Sequence, residues 1–254
     1  MTVNEEFIEA FRAAINSYNE NVTGNSIGEL SEKMLHSVIK TAIASDGGER
    51  EVRINGHNIA DCLKDNTVYE VQTESLFPVK KKLDFYLKNT DYDVDIVFPI
   101  PTEKYVSWVD PESGDIRSSG KRCKTRTVAD YARELNYIAD YVDDPRVTIT
   151  LLYISEIEYR FLDGKRSRDK KRGSTRIDRI PTGLICGEEF SERRDFISLL
   201  PRLDRFTRKE YMKDKRIRSV RQMYSAISIL LRLGFIAEDG KIGNDICFRT
   251  VISE

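Results

Sequence analysis

The sequence predicts an α/β protein, a sheet flanked by helices with a smaller helix-and-hairpin unit at the C-terminal end. Three observations predict it. The hydrophobic period is helical over 4–44, strand-like over 51–73 and helical again over 75–89. DVDIVFPI (93–100) and VTITLLYI (147–154) are almost wholly apolar, as strands buried on both faces are. From about residue 187 the order becomes helix, helix, hairpin. The expected domains are therefore 1–186 and 187–254.

Each element has its own signal. Phe7, Ile8, Phe11, Ile15 and Tyr18 line one side of a helix over 4–20, with Thr2 and Glu5 as a capping box. A second helix is expected from about Gly28 to Ala44, carrying Leu35, Val38, Ile39 and Ile43 inward. EVRI (51–54), HNIADCL (57–63) and VYEVQT (68–73) read as a strand meander turning at Asn55-Gly56 and Asp65-Asn66. Residues 75–89 form a helix with Pro78 in its first turn, which returns the chain to a parallel neighbour over 93–100. KYVSWVD (104–110) reads as a separate strand, 111–125 as a loop and 126–140 as a helix. EIEYRF (156–161) reads as an outer strand, distinct from the buried one before it.

Composition narrows the class. Of 254 residues, 40% are hydrophobic and 33% charged, a globular balance. The start, MTVNEEFIEAF, is acidic where a secretory leader is basic, and no apolar run is long enough to cross a bilayer. The four cysteines form no CxxC pair, so a zinc knuckle is unsupported and buried free thiols in a reducing cytoplasm are expected. Net charge is only −1, but its distribution is uneven. The front of the chain is acidic, whereas 164–176 carries seven bases against Asp169. That polarity suits a metal site in one half and a polyanion grip in the other.

Phosphodiester hydrolysis needs hard oxygen ligands that hold Mg²⁺ or Mn²⁺ beside the scissile phosphate. Asp61 sits in a strand otherwise expected to be apolar, and Glu70 sits in the next strand of the meander. Glu70 and Gln72 share a face by alternation, and Val71 offers its carbonyl. Glu32 precedes the sheet on the second helix, four residues before His36, and Lys40 is one turn further on. His36 reads better as a packed or hydrogen-bonded residue than as a ligand. The bland alternative for the acids is a pair salt-bridged to lysines at a sheet edge.

Helix glutamate, strand aspartate, strand Glu-x-Gln and then helix, in the order αβββαβ, resembles the PD-(D/E)XK superfamily of restriction-endonuclease-like nucleases over roughly residues 26–100. The resemblance implies metal ligation by Asp61, Glu70 and the Val71 carbonyl, with Glu32 close by. Gln72 stands where the superfamily usually has lysine. Glutamine cannot act as a base, so a lysine of the following helix, Lys82 by preference, would compensate, or else catalysis has been lost.

The C-terminal order of helix, helix and hairpin is winged-helix grammar, with a turn at Asp239-Gly240 and a core of Val220, Tyr224, Ile227, Leu230, Leu231 and Phe235. Its second helix opens at Ser219, placing Arg221 and Gln222 where bases are read. Arg216 and Arg218 in the turn, and Lys241 on the wing, would meet phosphates. The expectation is a cytoplasmic, metal-dependent DNA endonuclease without a membrane partner, acting alone, as a homodimer or with a partner subunit. The alternative is a catalytically silent nuclease fold that binds DNA within a regulatory, defence or mobile-element complex.

Overall fold

A computed structural model describes residues 3–21, 34–56, 58–118, 122–123, 126–164 and 174–251. The chain forms two compact units. One comprises Met1–Thr73, Asp95–Thr125 and Thr150–Glu188; the other comprises Glu74–Val94, Arg126–Ile149 and Glu189–Glu254.

The first unit opens with α1 (Glu5–Asn21). Its start is capped by Asn4, whose side-chain oxygen accepts from Phe7 N at 2.9 Å. The expected cap, Thr2, lies outside the described residues. Helix α2 (Met34–Ala44) follows. Phe7, Phe11, Ala14 and Ile15 from α1 meet Leu35, Val38, Ile39 and Ala42 from α2 over Cys62, Val71, Val97, Leu152 and Ile154 of the sheet. Burying each large side chain of this set contributes roughly 1.5–3 kcal/mol.

Strands β1 (Glu49–Ile54), β2 (Asn58–Lys64) and β3 (Thr67–Val71) form the expected antiparallel meander. Asn55 and Gly56 both have positive φ, as do Asp65 and Asn66, which is the backbone those turns demand. After α3 (Lys80–Asn89) comes β4 (Asp93–Val109). The helix starts five residues later than expected, with Pro78 before it rather than in its first turn.

β4 also corrects the expectation of two strands. Pro99 and Pro101 are two residues apart, so both missing N–H groups belong to one edge. They fall between Val97, whose carbonyl accepts from Gln72 N, and Glu103, which pairs with Cys123, and the strand runs on through them. The stretch read as a loop supplies β5 (Ile116–Ser118) and β6 (Arg122–Cys123), both paired with β4.

α4 (Val128–Leu135) is shorter than expected and gives way to a 3-10 turn at Ala139–Asp143. β7 (Val147–Phe161) is likewise one strand, not two, because Glu156, Glu158 and Arg160 bury on its inner side. β8 (Thr175–Phe190) was not anticipated. The sheet order is β1-β2-β3-β4-β7-β8.

In the second unit, Arg146 donates to the carbonyls of Leu87 and Thr90 and so caps the end of α3. A 3-10 turn at Arg193–Leu199 precedes β9 (Arg205–Thr207), α5 (Arg208–Tyr211), α6 (Val220–Arg232), β10 (Ile236–Ile242) and β11 (Asp245–Thr250). Ser219 Oγ accepts from Gln222 N and Gly234 takes positive φ, so α6 has the start and stop its sequence predicts. The three strands pair in the order β10-β11-β9. The hairpin turns at Gly243-Asn244; the expected turn at Asp239-Gly240 is a bulge within β10. Ile227 and Leu230 are buried as expected, but Val220 and Tyr224 are more than half and half exposed. Among the described residues, no helix is long and apolar enough to cross a membrane.

Candidate functional site

The site begins with a strand register. β2 and β3 pair Lys64 with Thr67, Leu63 with Val68 and Cys62 with Tyr69. One step further, the same register sets Asp61 across from Glu70. Glu70 is fully buried, whereas the Asp61 side chain is 13% exposed. Asp61 Oδ2 accepts a hydrogen bond from Val71 N at 2.9 Å, so the carboxylate replaces a strand partner at the end of the ladder.

Helix α2 supplies the rest. His36 and Lys40 are one turn apart and both reach Asp61. His36 Nε2 lies 3.2 Å from Asp61 Oδ2, and an ionised carboxylate only accepts, so that nitrogen bears a proton. Lys40 Nζ lies 3.8 Å from Asp61 Oδ1 and bonds Glu51 of β1. The Lys40 side chain is 3% exposed, so two carboxylates flank a buried ammonium. Glu51 itself adopts a left-handed backbone, φ 53°, an arrangement that costs on the order of 1 kcal/mol or more for a residue with a side chain. Cys62 donates to the Lys40 carbonyl, and burial, with Asp61's charge adding, pushes its thiol up to about 12. Cys62 is therefore a packed thiol and not a nucleophile.

Sequence reasoning singled out Asp61, Glu70, Val71 and Gln72, and these stand together on β2 and the end of β3. Gln72 uses its backbone N–H on Val97 O at 2.9 Å. Glu32 lies outside the described residues, and Lys82 lies on α3 in the second unit. Among the described residues, no group of three or more His, Cys, Asp or Glu side chains is placed to hold a metal ion. Glu51 was missed altogether, and Lys40 was noted only for its position. The helical spacing of His36 and Lys40 was a usable signal; the reach of Glu51 across β1 had none.

A second charged group lies on β4, β7 and β8 of the same unit. Lys104 ion-pairs with Glu158 and stands 3.4 Å from Glu156; Arg160 bonds Glu158 and Ser174. Glu156 is fully buried, with Lys104 Nζ 3.4 Å from its Oε1. Burial pushes its carboxyl above the usual glutamate range, and Glu158 adds to the rise, against Arg179 and Lys104. Arg179 donates to Thr73 O at 2.8 Å, just beyond the Glu70-x-Gln72 segment.

The C-terminal cations divide into two kinds. Arg216 is a structural residue: it bonds Asp214 and the carbonyls of Ser198 and Leu200. Asp130 of α4 takes Arg218 at 3.3 Å and the Gln222 amide at 3.1 Å. Arg221 and Lys241 are exposed. Arg208, Lys209, Met212, Met223, Tyr224, Asn244 and Asp245 line a cleft of about 320 Å³. The basic run is described only at 164 and 174–176; residues 165–173 lie outside the described residues.

A protein of Treponema pallidum (strain Nichols), named only as an uncharacterized protein, is 26% identical over 183 residues, covering 70% of this chain and 71% of that one. No solved structure matches the chain. The family model described as a domain of unknown function, DUF8091, matches residues 33–191, a span that holds His36, Lys40, Glu51, Asp61, Glu70 and Gln72. Since that match takes in more than half of the sequence, the chain belongs to the DUF8091 family.

Proposed function

We propose that the protein is a divalent-metal-dependent phosphodiester hydrolase of the restriction-endonuclease-like kind, acting on DNA, with a winged-helix module at its C-terminal end. The observation that carries this reading is the strand register that sets Asp61 across from Glu70 at the end of the meander, beside His36 and Lys40 of α2. The chain order of helix, three antiparallel strands, helix and strand supports it. So does the β10-β11-β9 sheet carried with α5 and α6.

The donors suit a hard cation. Mg²⁺ binds through one or two carboxylates and keeps several waters, and Asp61 and Glu70 with the Val71 carbonyl would be such a set. Asp61 Oδ2 accepts from His36 and Val71 N, and Oδ1 lies 3.8 Å from Lys40 Nζ. A bound Mg²⁺ or Mn²⁺ would supply a polarised phosphoryl oxygen and a more acidic water. The chain's own part is to hold the carboxylates. His36 and the Val71 N–H fix the Asp61 rotamer, and burial fixes Glu70. Gln72 can orient a water by hydrogen bonding but cannot take its proton. Exposed Arg221 and Lys241 are the proposed phosphate contacts.

The test is cleavage of plasmid, linear, single-stranded and RNA substrates with and without Mg²⁺ or Mn²⁺, beside Asp61→Ala and Glu70→Ala. Metal-dependent cutting lost in both variants supports the reading; cutting retained in both removes these residues from it. One observation favours a second reading. Lys40 and His36 already balance the Asp61 charge within the fold, which suits a nuclease-type domain that binds DNA without cutting it. DNA binding without cleavage on any substrate supports that alternative.

A further inference from the structure

Tyr224 was expected in the core, yet it is half exposed and lines the cleft bounded by α5, α6 and the turn between β10 and β11. Arg208 lies over its ring, with Cζ 6.0 Å from the centroid, and Nη1 donates to the phenol oxygen at 3.3 Å. Asp245 accepts from Arg208 Nε at 2.5 Å, which fixes the guanidinium in that place. Two planar groups, one of them charged, therefore stand together at the cleft. Met212 and Met223 add thioether surface, which adapts to a flat ring. At about 320 Å³ the cleft is at the small end of ligand sites and has room for one such ring with its substituents.

The charge of the cleft favours an anion. Two cations, Arg208 and Lys209, face one carboxylate, and that carboxylate already accepts from Arg208 Nε and Lys209 N. Lys209 is exposed, and so is Asn244, whose amide can both donate and accept. A flat ring with a polar edge and an attached phosphate matches all of these groups. Along α6, Val220 and Arg221 stand one turn before Tyr224 and are exposed on the same side. Gln222 has both ends of its amide engaged, by Asp130 and by the Arg218 N–H.

We infer that this cleft holds an unpaired nucleotide of DNA, its base stacked against the Tyr224–Arg208 pair and its phosphate beside Lys209. The inference rests on the DNA-binding part of the reading above and deepens it. A paired base is shut inside the duplex stack, so only one at a single-stranded end or turned out of the helix can enter. The preferred DNA is therefore a duplex with a single-stranded end, with Arg221 on the adjoining phosphates. Base contact then falls to Tyr224 and Asn244 and not to Gln222.

The experiment measures binding of the full chain by fluorescence anisotropy, with EDTA present so that no strand is cut. Three DNAs are compared: a duplex with a short overhang, the same duplex with the overhang made abasic, and the blunt duplex. Wild type should bind the overhang duplex about tenfold more tightly than either of the others, the size of one base stacked on an aromatic ring. Tyr224→Ala should lose that gain and bind the intact and abasic overhangs alike, whereas Tyr224→Phe should keep most of it. Lys209→Met should weaken the intact and abasic overhangs equally and lower the salt dependence of both. Lys88→Met, an exposed lysine of α3 outside the cleft, serves as the control and should bind as wild type does. Equal wild-type affinity for all three DNAs overturns the inference, leaves DNA binding in place and assigns the cleft to another occupant, such as an acidic protein segment. A gain that survives in Tyr224→Ala overturns it as well. Should Tyr224→Ala fail to fold, undiminished wild-type binding of the abasic overhang alone overturns it. Wild-type protein that binds none of the three sinks the DNA-binding reading and this inference together.

Discussion

His36 and Asp61 lie 25 residues apart in the chain, yet Nε2 of one stands 3.2 Å from Oδ2 of the other. Helix α2 and strand β2 are thereby joined at the one carboxylate that also accepts the Val71 N–H. A hydrogen bond to a charged group contributes about 1.5–3 kcal/mol, so this contact bears on stability as well as on any chemistry.

His36→Ala separates the two roles. Loss of the donor should lower stability by about 1–2 kcal/mol, because Asp61 keeps Val71 N and Lys40. In the hydrolase reading it should also slow metal-dependent cleavage by about tenfold or more. Urea denaturation and single-turnover cleavage check the two parts independently. Unchanged stability would show that the contact is not made in solution.

Glu156 predicts a pH dependence. Its folded carboxyl titrates above the unfolded one, chiefly through burial. Such a group favours folding fully below the ordinary glutamate range, and that contribution is lost as pH rises through the raised folded value. Stability of wild type relative to Glu156→Gln should therefore fall between mildly acid and mildly alkaline pH. Parallel urea melts at both ends check it, and a flat difference would contradict the assignment.

Arg216 and Arg221 lie five residues apart and should behave oppositely. Arg216→Ala removes bonds to Asp214 and to two backbone carbonyls, and should cost about 2–4 kcal/mol. Arg221→Ala should change stability by less than about 0.5 kcal/mol, since the side chain is exposed. In the DNA-binding reading only Arg221→Ala weakens binding at matched folding, and it also makes binding less steeply dependent on salt. Thermal melts with fluorescence anisotropy at two salt concentrations decide between them.

Ser219 caps α6 through Gln222 N. Ser219→Ala should destabilise by about 1 kcal/mol, and Ser219→Asp should preserve stability. A melt that ranks alanine with aspartate would mean that α6 is held by its packing alone.

Local chemistry was legible in the sequence. Asn55-Gly56 and Asp65-Asn66 announced their turns because few residues accept positive φ, and Ser219 and Gly234 marked the ends of α6 for similar reasons. The strand meander put Asp61 and Glu70 on adjacent strands, and β2 and β3 do pair. Where two signals conflicted, reading failed. KYVSWVD was expected as a separate strand and EIEYRF as an outer one, and both belong to longer strands, β4 and β7. Only the folded sheet reveals that β4 runs on through Pro99 and Pro101 and that the charges of Lys104, Glu158 and Arg160 bond one another inside.

By itself, then, the sequence determined α1, α6, the meander with its two turns and the two carboxylates, because each depends on residues a few positions apart. The tertiary structure decided which charges meet. Lys40 could have faced solvent on any α2 of this composition. It is buried between Glu51 and Asp61 because Glu51 takes a left-handed backbone on β1 and α2 packs its inner face over β2. Electrostatic pairing depends on distance in space, and spacing along one helix or strand cannot report the distance to a side chain on another.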